Sequence, residues 1–390
     1  MTIIIAGAGL AGLSCALALA DAGHDVELHE AAPVAGGRCR SWFDEKLGAV
    51  IDNGSHLLAG SNSNAWDYLR RIGSQNSLEP LPAALSMMDL MSGRRWRTEA
   101  LPLLPTILAA LPRLALAEGK TVAQALGHSR HYRDFWHPLA LAALNTPPEQ
   151  AQARLLRAVL VRTLWRGAKA SRLYQPKTSL SASFIDPAMT ALRQAGVAIH
   201  LSHPLRRIIR QAGRVDELIF DDQTRRLSRH DRLVLALPPW AARRLLPTLP
   251  KLQTSPIANL HFKLDVAKAE RLDDLPLGLV GGLAQWLFLR GNILSVTLSA
   301  LDLETEQSIG EVWRDVAKAL ETNGEIPPYR LIRERRATIL HDGATETQRP
   351  APDAYGPIIL AGDWTATGLP CSIEGSILSG RRAAALGSKS

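Results

Sequence analysis

Cysteine is scarce in this chain, which has 3 in 390 residues, Cys15, Cys39 and Cys371. An odd, widely scattered set gives neither a disulfide framework nor metal-ligand spacing, so no metal centre is expected and a reducing cytoplasm fits. Long apolar runs are also missing. The strongest, residues 101–117, is interrupted by Pro102, Pro105, Pro112 and Arg113, short of the roughly 20 unbroken residues that a spanning helix needs. No basic leader precedes the first strand, and Asp21 rather than a cleavage site follows the first apolar helix, so a signal peptide is not expected. Repeats and low-complexity tracts are absent. Acidic residues number 37 against 45 basic ones, a formal charge of +8. The arginines come in scattered pairs such as Arg70-Arg71, Arg206-Arg207 and Arg381-Arg382, with no basic run interleaved with aromatics, which argues against nucleic-acid binding. Attraction to an anionic lipid surface or plain arginine enrichment would both give this balance.

What is present begins at the first residues. Thr2-Ile3-Ile4-Ile5-Ala6 reads as a strand, Gly7-Ala8-Gly9-Leu10-Ala11-Gly12 as a tight glycine turn, and Leu10 to Ala20 as a helix with one apolar face. A second strand, Asp25 to Glu30, ends in an acid eighteen residues past Gly12. In this pattern Gly7 bends the chain, Gly9 lets backbone approach a pyrophosphate, and Gly12 packs helix on strand. The helix amides then face negative charge, and Glu30 accepts hydrogen bonds from an unphosphorylated ribose. A bare Gly-x-Gly-x-x-Gly is weak; the strand, helix, acid and following Gly36-Gly37-Arg38 make it a dinucleotide site.

The fold class read from these elements is α/β, a Rossmann-type nucleotide-binding domain interleaved with a mixed α+β substrate domain. Residues 1–75, 196–240 and 350–390 form the first domain, and 76–195 and 241–349 the second. Arg232 to Leu237 and Pro357 to Leu360 read as strands buried on both faces of a parallel sheet. Phe184 to Leu192 and 373–385 read as helices, Leu205 to Ile209 as a short strand, and Val122 to about Leu173 as helical. Ala284 to Leu289 and Ile293 to Leu298 form a hairpin turned at Gly291-Asn292. Segment 101–117 lies on a membrane, lines an apolar tunnel, or forms an ordinary buried helix pair.

The fingerprint, together with Asp52-Asn53-Gly54-Ser55-His56, Leu235-Ala236-Leu237-Pro238-Pro239, Leu360-Ala361-Gly362-Asp363-Trp364 and Ile373-Glu374-Gly375, resembles the amine oxidase and phytoene desaturase superfamily of flavoproteins across nearly the whole chain. The blocks Ile51 to Leu58, His137 to Thr146 and Gly362 to Pro370 are similar to the squalene-associated branch, the hydroxysqualene dehydroxylases of hopanoid synthesis. The resemblance implies FAD as cofactor. Gly7, Gly9, Gly12, Glu30, Gly37 and Arg38 would hold its ADP half, with the Leu205 backbone at adenine. Gly54, Ser55 and His56 would run beside the isoalloxazine. Gly362 and Asp363 would meet the pyrophosphate and ribityl chain, and the Ile373 amide the pyrimidine edge. Cys371-Ser372 departs from the glycine that many relatives carry there.

The implied reaction is hydroxysqualene to squalene: an acid assists the leaving hydroxyl, an apolar tunnel shields an allylic cation, and reduced flavin gives hydride. The titratable candidates are His56, Asp52 and Glu374. Each also has a plainer reading: Asp52 as a turn acceptor, His56 as packing, Glu374 at a helix N-terminus. The expected partners are a polyprenyl substrate, an unidentified electron donor and a peripheral membrane contact at the inner face of the cytoplasmic membrane. A desaturase or amine oxidase would run the hydride the other way, and a prenyl-lipid carrier would run no redox chemistry at all.

Overall fold

The computed structural model describes residues 1–164, 168–211, 213–270, 272, 275–322 and 324–389. Its first layer is a five-stranded parallel sheet in the order Ala198–His200, Asp25–His29, Thr2–Ala6, Arg232–Leu235, Ile358–Leu360. Ile3, Ile4, Ile5, Leu233, Val234 and Leu235 have no exposed surface. Apolar residues on both faces mean that both are covered, as a parallel sheet requires. The helices Leu10–Asp21, Asp186–Gln194 and Ile373–Gly387 cover one face. The antiparallel strands Arg207–Gln211, Arg214–Ile219 and Thr224–Arg226, with the helix Pro239–Leu245, cover the other. Gly380 allows the helix crossing, because a Cβ there would strike the Ala11 carbonyl.

The second layer is a seven-stranded sheet in the order Tyr329–Ile339, Thr254–Lys263, Ile293–Ser299, Trp286–Arg290, Leu277–Val280, Ala84–Asp89, Arg95–Glu99. All its pairings are antiparallel except Leu277–Val280 with Ala84–Asp89. The amphipathic helix Glu306–Ala319 buries Ile309, Val312, Trp313 and Val316 against it. The hairpin turn falls at Gly291, whose φ is +57°. A third cluster joins the helices Ala100–Ala115, Val122–Leu126, His137–Leu144 and Ala153–Leu164.

Three elements differ from their sequence reading. Segment 101–117 is not broken by its prolines: Ala100–Ala115 is one helix with Pro105 and Pro112 inside it. Burial of Ile107, Ala110 and Leu114 in the helical cluster offsets the hydrogen bonds that the prolines remove. The strand at 205–209 begins instead at Arg207, after Ser202 turns the chain with φ +52°. The Asp186–Gln194 helix opens with a π-helical turn, Ser181–Ile185, and its Ala188, Met189 and Leu192 join the core under the parallel sheet. Residues 165–167 of the stretch read as helical lie outside the described residues.

Candidate functional site

The amino-terminal turn is shaped by missing side chains. Gly7 has φ +106°, and a Cβ on it would strike the Ala236 carbonyl. A Cβ on Gly12 would strike the carbonyl of Gly7, which locks helix to turn. Gly9 differs: it has an ordinary φ of −76°, and its absent Cβ would meet nothing within 4 Å. That space lies at the N-terminus of the Leu10–Asp21 helix, which has no side-chain cap and no acid in its first turn. Unpaired amides around an empty cradle make an anion site. Gly36 and Gly37, at φ +115° and +57°, bring the second loop against it, with Gly37's missing Cβ 3.5 Å from the Gly9 Cα.

Glu30 lies one residue beyond its strand, and its carboxylate accepts from the amides of Ala8 and Ala32, both at 2.8 Å. A carboxylate offers about four acceptor sites, so two remain for ribose hydroxyls. The Leu205 backbone N–H and C=O have no partner among the described residues.

Sequence reasoning missed a histidine stack under this end. His29 lies 4.6 Å from His200 and 4.5 Å from Phe220, ring centre to ring centre. Its Nδ1 is 2.9 Å from Nδ1 of His203, whose Nε2 is 2.7 Å from Asp222. His29 Nε2 is buried with no hydrogen-bond partner among the described residues, and the nearest carboxylate, Glu27, is 3.5 Å away. Burial first, then His200, His203 and Arg225, push the His29 pKa down to about 3.

The carboxyl-terminal loop is shaped by side chains. Arg38 Nη2 donates to both carboxylate oxygens of Asp363, at 2.7 and 2.8 Å, while its Nη1 donates to the Ala337 carbonyl. Beneath it Arg349, 7% exposed, donates to the carbonyls of Asp363 at 2.6 Å, Thr365 at 2.6 Å and Leu369 at 2.8 Å, and to the Thr367 hydroxyl at 3.0 Å. Thr365 Oγ1 closes back on the Gly362 carbonyl at 2.9 Å. The Thr-Ala-Thr-Gly-Leu-Pro block is therefore a loop wrapped around one arginine. It delivers the chain to Ser372, which caps the last helix by accepting from Gly375, and so presents the Ile373 amide at that helix's first turn.

The candidate acids separate sharply. Asp52, 6% exposed, has its carboxylate committed to Ser41 Oγ at 2.5 Å, the Leu180 amide at 3.0 Å and Arg290 at 2.5 Å. Glu374, 4% exposed, accepts from the Ala65 amide at 2.9 Å and Asn64 Nδ2 at 2.8 Å, which caps the helix Ser63–Arg71 from outside. Both carboxylates have structural partners in the fold. His56 is the exposed one, with no hydrogen-bond partner among the described residues. It follows Gly54, whose missing Cβ would lie 3.0 Å from the Asn259 amide, and half-buried Ser55. The imidazole is exposed to solvent. Desolvation, with Arg38 opposing the charge and Asp52 favouring it, puts its pKa below the ordinary histidine value.

Residues 10–142, 120–267 and 290–386 match the family of flavin-containing amine oxidoreductases. The chain belongs to that family. The chain is 37% identical over 414 residues to the hydroxysqualene dehydroxylase of Sinorhizobium fredii, with 98% of this chain and 97% of that protein covered. It is 38% identical over 411 residues to the hydroxysqualene dehydroxylase of Rhodopseudomonas palustris, with 99% and 98% covered. An oxidoreductase structure from Methanosarcina mazei superposes with a TM-score of 0.75 at 15% identity, covering 97% of this chain and 99% of that one, which shows the shared fold. The chain is a flavin-dependent oxidoreductase, and its cofactor is FAD. The cradle at Gly9, the uncapped helix and the unpartnered Leu205 backbone fit that group.

Proposed function

We propose that the protein removes the hydroxyl of hydroxysqualene reductively, giving squalene. The observation that carries this reading is the likeness to hydroxysqualene dehydroxylases along 98% of the chain, which takes in both ends of the dinucleotide cradle and the loop around Arg349. Bound FAD, once reduced, supplies the hydride. The carbon–oxygen bond breaks with its electron pair going to oxygen, a proton makes the leaving group water, and the hydride fills the allylic carbon. Two electrons from a donor outside the chain restore the reduced cofactor.

In this reading Gly7, Gly9, Gly12, Gly37, Arg38 and Glu30 hold the ADP half, Leu205 meets adenine, and Gly362, Asp363 and Ile373 hold the flavin half. Gly54 and Ser55 run past the ring. His56 is the acid, since it alone of the three candidates has its side chain free. A pKa below the ordinary value leaves it neutral at pH 7, where its ring N–H donates to the hydroxyl; below that pKa the imidazolium donates more strongly. Turnover should therefore rise on acidification below pH about 6.5, and His56→Phe should abolish that rise while leaving the visible flavin spectrum intact.

The chain divides into a nucleotide domain of 1–75, 196–240 and 350–390 and a substrate domain of 76–195 and 241–349. The Asp186–Gln194 helix joins the first by its packing. No helix among the described residues is long and apolar enough to cross a membrane. The outward face of Ala100–Ala115 nevertheless carries Pro105, Leu108, Ala109 and Pro112 in exposed positions, and the chain continues into Leu116 at 83% exposure. This face rests on the lipid that carries the substrate. Leu108→Asp with Leu116→Asp should release the protein from anionic vesicles in flotation; unchanged flotation contradicts the contact. For the reaction, squalene formed in deuterium oxide under dithionite should carry one deuterium at the former carbinol carbon, because flavin N–H exchanges with solvent. Unconverted hydroxysqualene overturns the proposal.

A further inference from the structure

The buried His341 is used by nothing above. Its side chain has no exposed surface. Nδ1 lies 2.6 Å from Glu346 Oε1, and Nε2 accepts the Cys371 amide N–H at 3.0 Å. An accepting Nε2 carries no proton, so the ring is the Nδ1–H tautomer, held by the Glu346 carboxylate. Glu346 is in turn flanked by Arg349 at 3.1 Å and Arg154 at 2.7 Å. The backbone is fixed as well, because His341 N donates to Thr146 Oγ1 at 3.0 Å and Gln152 N donates to the His341 carbonyl at 2.9 Å. Asn145, in the left-handed conformation at φ +46°, accepts from Ala300 N at 2.7 Å and donates to Thr338 Oγ1 at 3.0 Å. The Leu-Asn-Thr block thus reaches the His341 backbone through Thr146, and the Thr-Ala-Thr-Gly-Leu-Pro-Cys block reaches its ring through Cys371.

We propose that His341 is a positioning residue for the flavin end of the cofactor: by accepting the Cys371 amide it sets where Ser372 and the Ile373 amide stand. This rests on FAD lying against the 362–373 loop, and it goes beyond the hydroxysqualene reading, which it does not need. Cys371 meets the imidazole through its backbone N–H, while its side chain packs against the core under the parallel sheet. The hydrogen bond replaces conformational freedom with a fixed anchor.

Asparagine and glutamine divide the two halves of the imidazole. Glutamine puts an acceptor oxygen at the reach of Nε2, whereas asparagine keeps a donor near Glu346 and loses the acceptor for Cys371. Full-length protein stripped of FAD would be titrated with FAD and, separately, with ADP, which lacks the flavin half. His341→Asn should weaken FAD by about tenfold, the worth of one lost buried hydrogen bond, leave ADP affinity unchanged, and shift the flavin midpoint potential of the reloaded protein. His341→Gln should restore affinity and potential. Equal losses for FAD and ADP, or a glutamine variant no better than asparagine, would mean that His341 is only core packing. Failure of squalene formation with these affinities as expected would count against the substrate reading alone.

Discussion

The two ends proposed to hold the cofactor, Gly7–Gly12 and Gly362–Ile373, are built in opposite ways. At Gly7–Gly12 the shape comes from absence: the missing side chains of Gly7 and Gly12 bring turn, strand and helix together, and that of Gly9 leaves open space. At Gly362–Ile373 it comes from presence: a buried guanidinium gathers carbonyls, and Glu346 and His341 hold the loop from behind. A shape made by absence is fragile to any added atom, and one made by presence is fragile to any removed charge. The difference can be broken in both directions.

Gly12→Ala should do the most damage. The added carbon collides with the Gly7 carbonyl, and backbone cannot step aside as a side chain can, so the loss exceeds the roughly 1–3 kcal/mol of ordinary overpacking. Purified protein should be colourless and melt several degrees lower. Arg349→Met is the counterpart at the other end. It takes the buried arginine from Glu346, which keeps Arg154 and His341, and leaves the loop carbonyls without their donor, a loss on the order of 3–5 kcal/mol, readable as a fall in Tm and in flavin retention.

Acid sharpens the comparison, because the histidine stack lies under the adenosine end. The folded pKa of His29, about 3, is below its unfolded value of about 6.5. Between those limits the unfolded chain binds the extra proton, so stability falls as pH falls through this window. By pH 4 the loss from this group is on the order of 3 kcal/mol. Melting curves from pH 7 to pH 4 should show it, and His29→Gln should flatten the slope. Gly9→Ala has the smallest effect on the fold. Its Cβ meets no protein atom and its φ is ordinary, so the FAD-free protein should melt within about 0.5 kcal/mol of the parent while FAD affinity drops sharply. Equal damage from Gly9→Ala and Gly12→Ala would contradict the roles given to them.

The same contrast explains what could be read from the sequence. The amino-terminal turn, the acid after the second strand and the triple-apolar strands were legible, because each is encoded within a few consecutive residues. Strand ends at Glu30 and Arg207 moved by a residue or two, since pairing partners far along the chain decide where a ladder stops. The carboxyl-terminal loop showed as a motif without a reason: Arg349, thirteen residues before Gly362, carried no local signal. Asp52 and Glu374 looked like acids because residue type announces a carboxylate but not its partners, and those partners, Arg290 and the 63–71 helix, lie hundreds of residues away. His56 was the first candidate on residue type and motif position, and the structure adds that its side chain has no hydrogen-bond partner among the described residues.

The most direct measurement follows the flavin and the product together. Protein reduced anaerobically to the colourless state would be mixed with hydroxysqualene in a stopped-flow instrument, with the organic phase extracted at each time. The account predicts that flavin absorbance returns in step with squalene, one per flavin. Flavin that stays reduced with no squalene, while oxidised protein takes hydrogen from a polyprenyl chain, would contradict it.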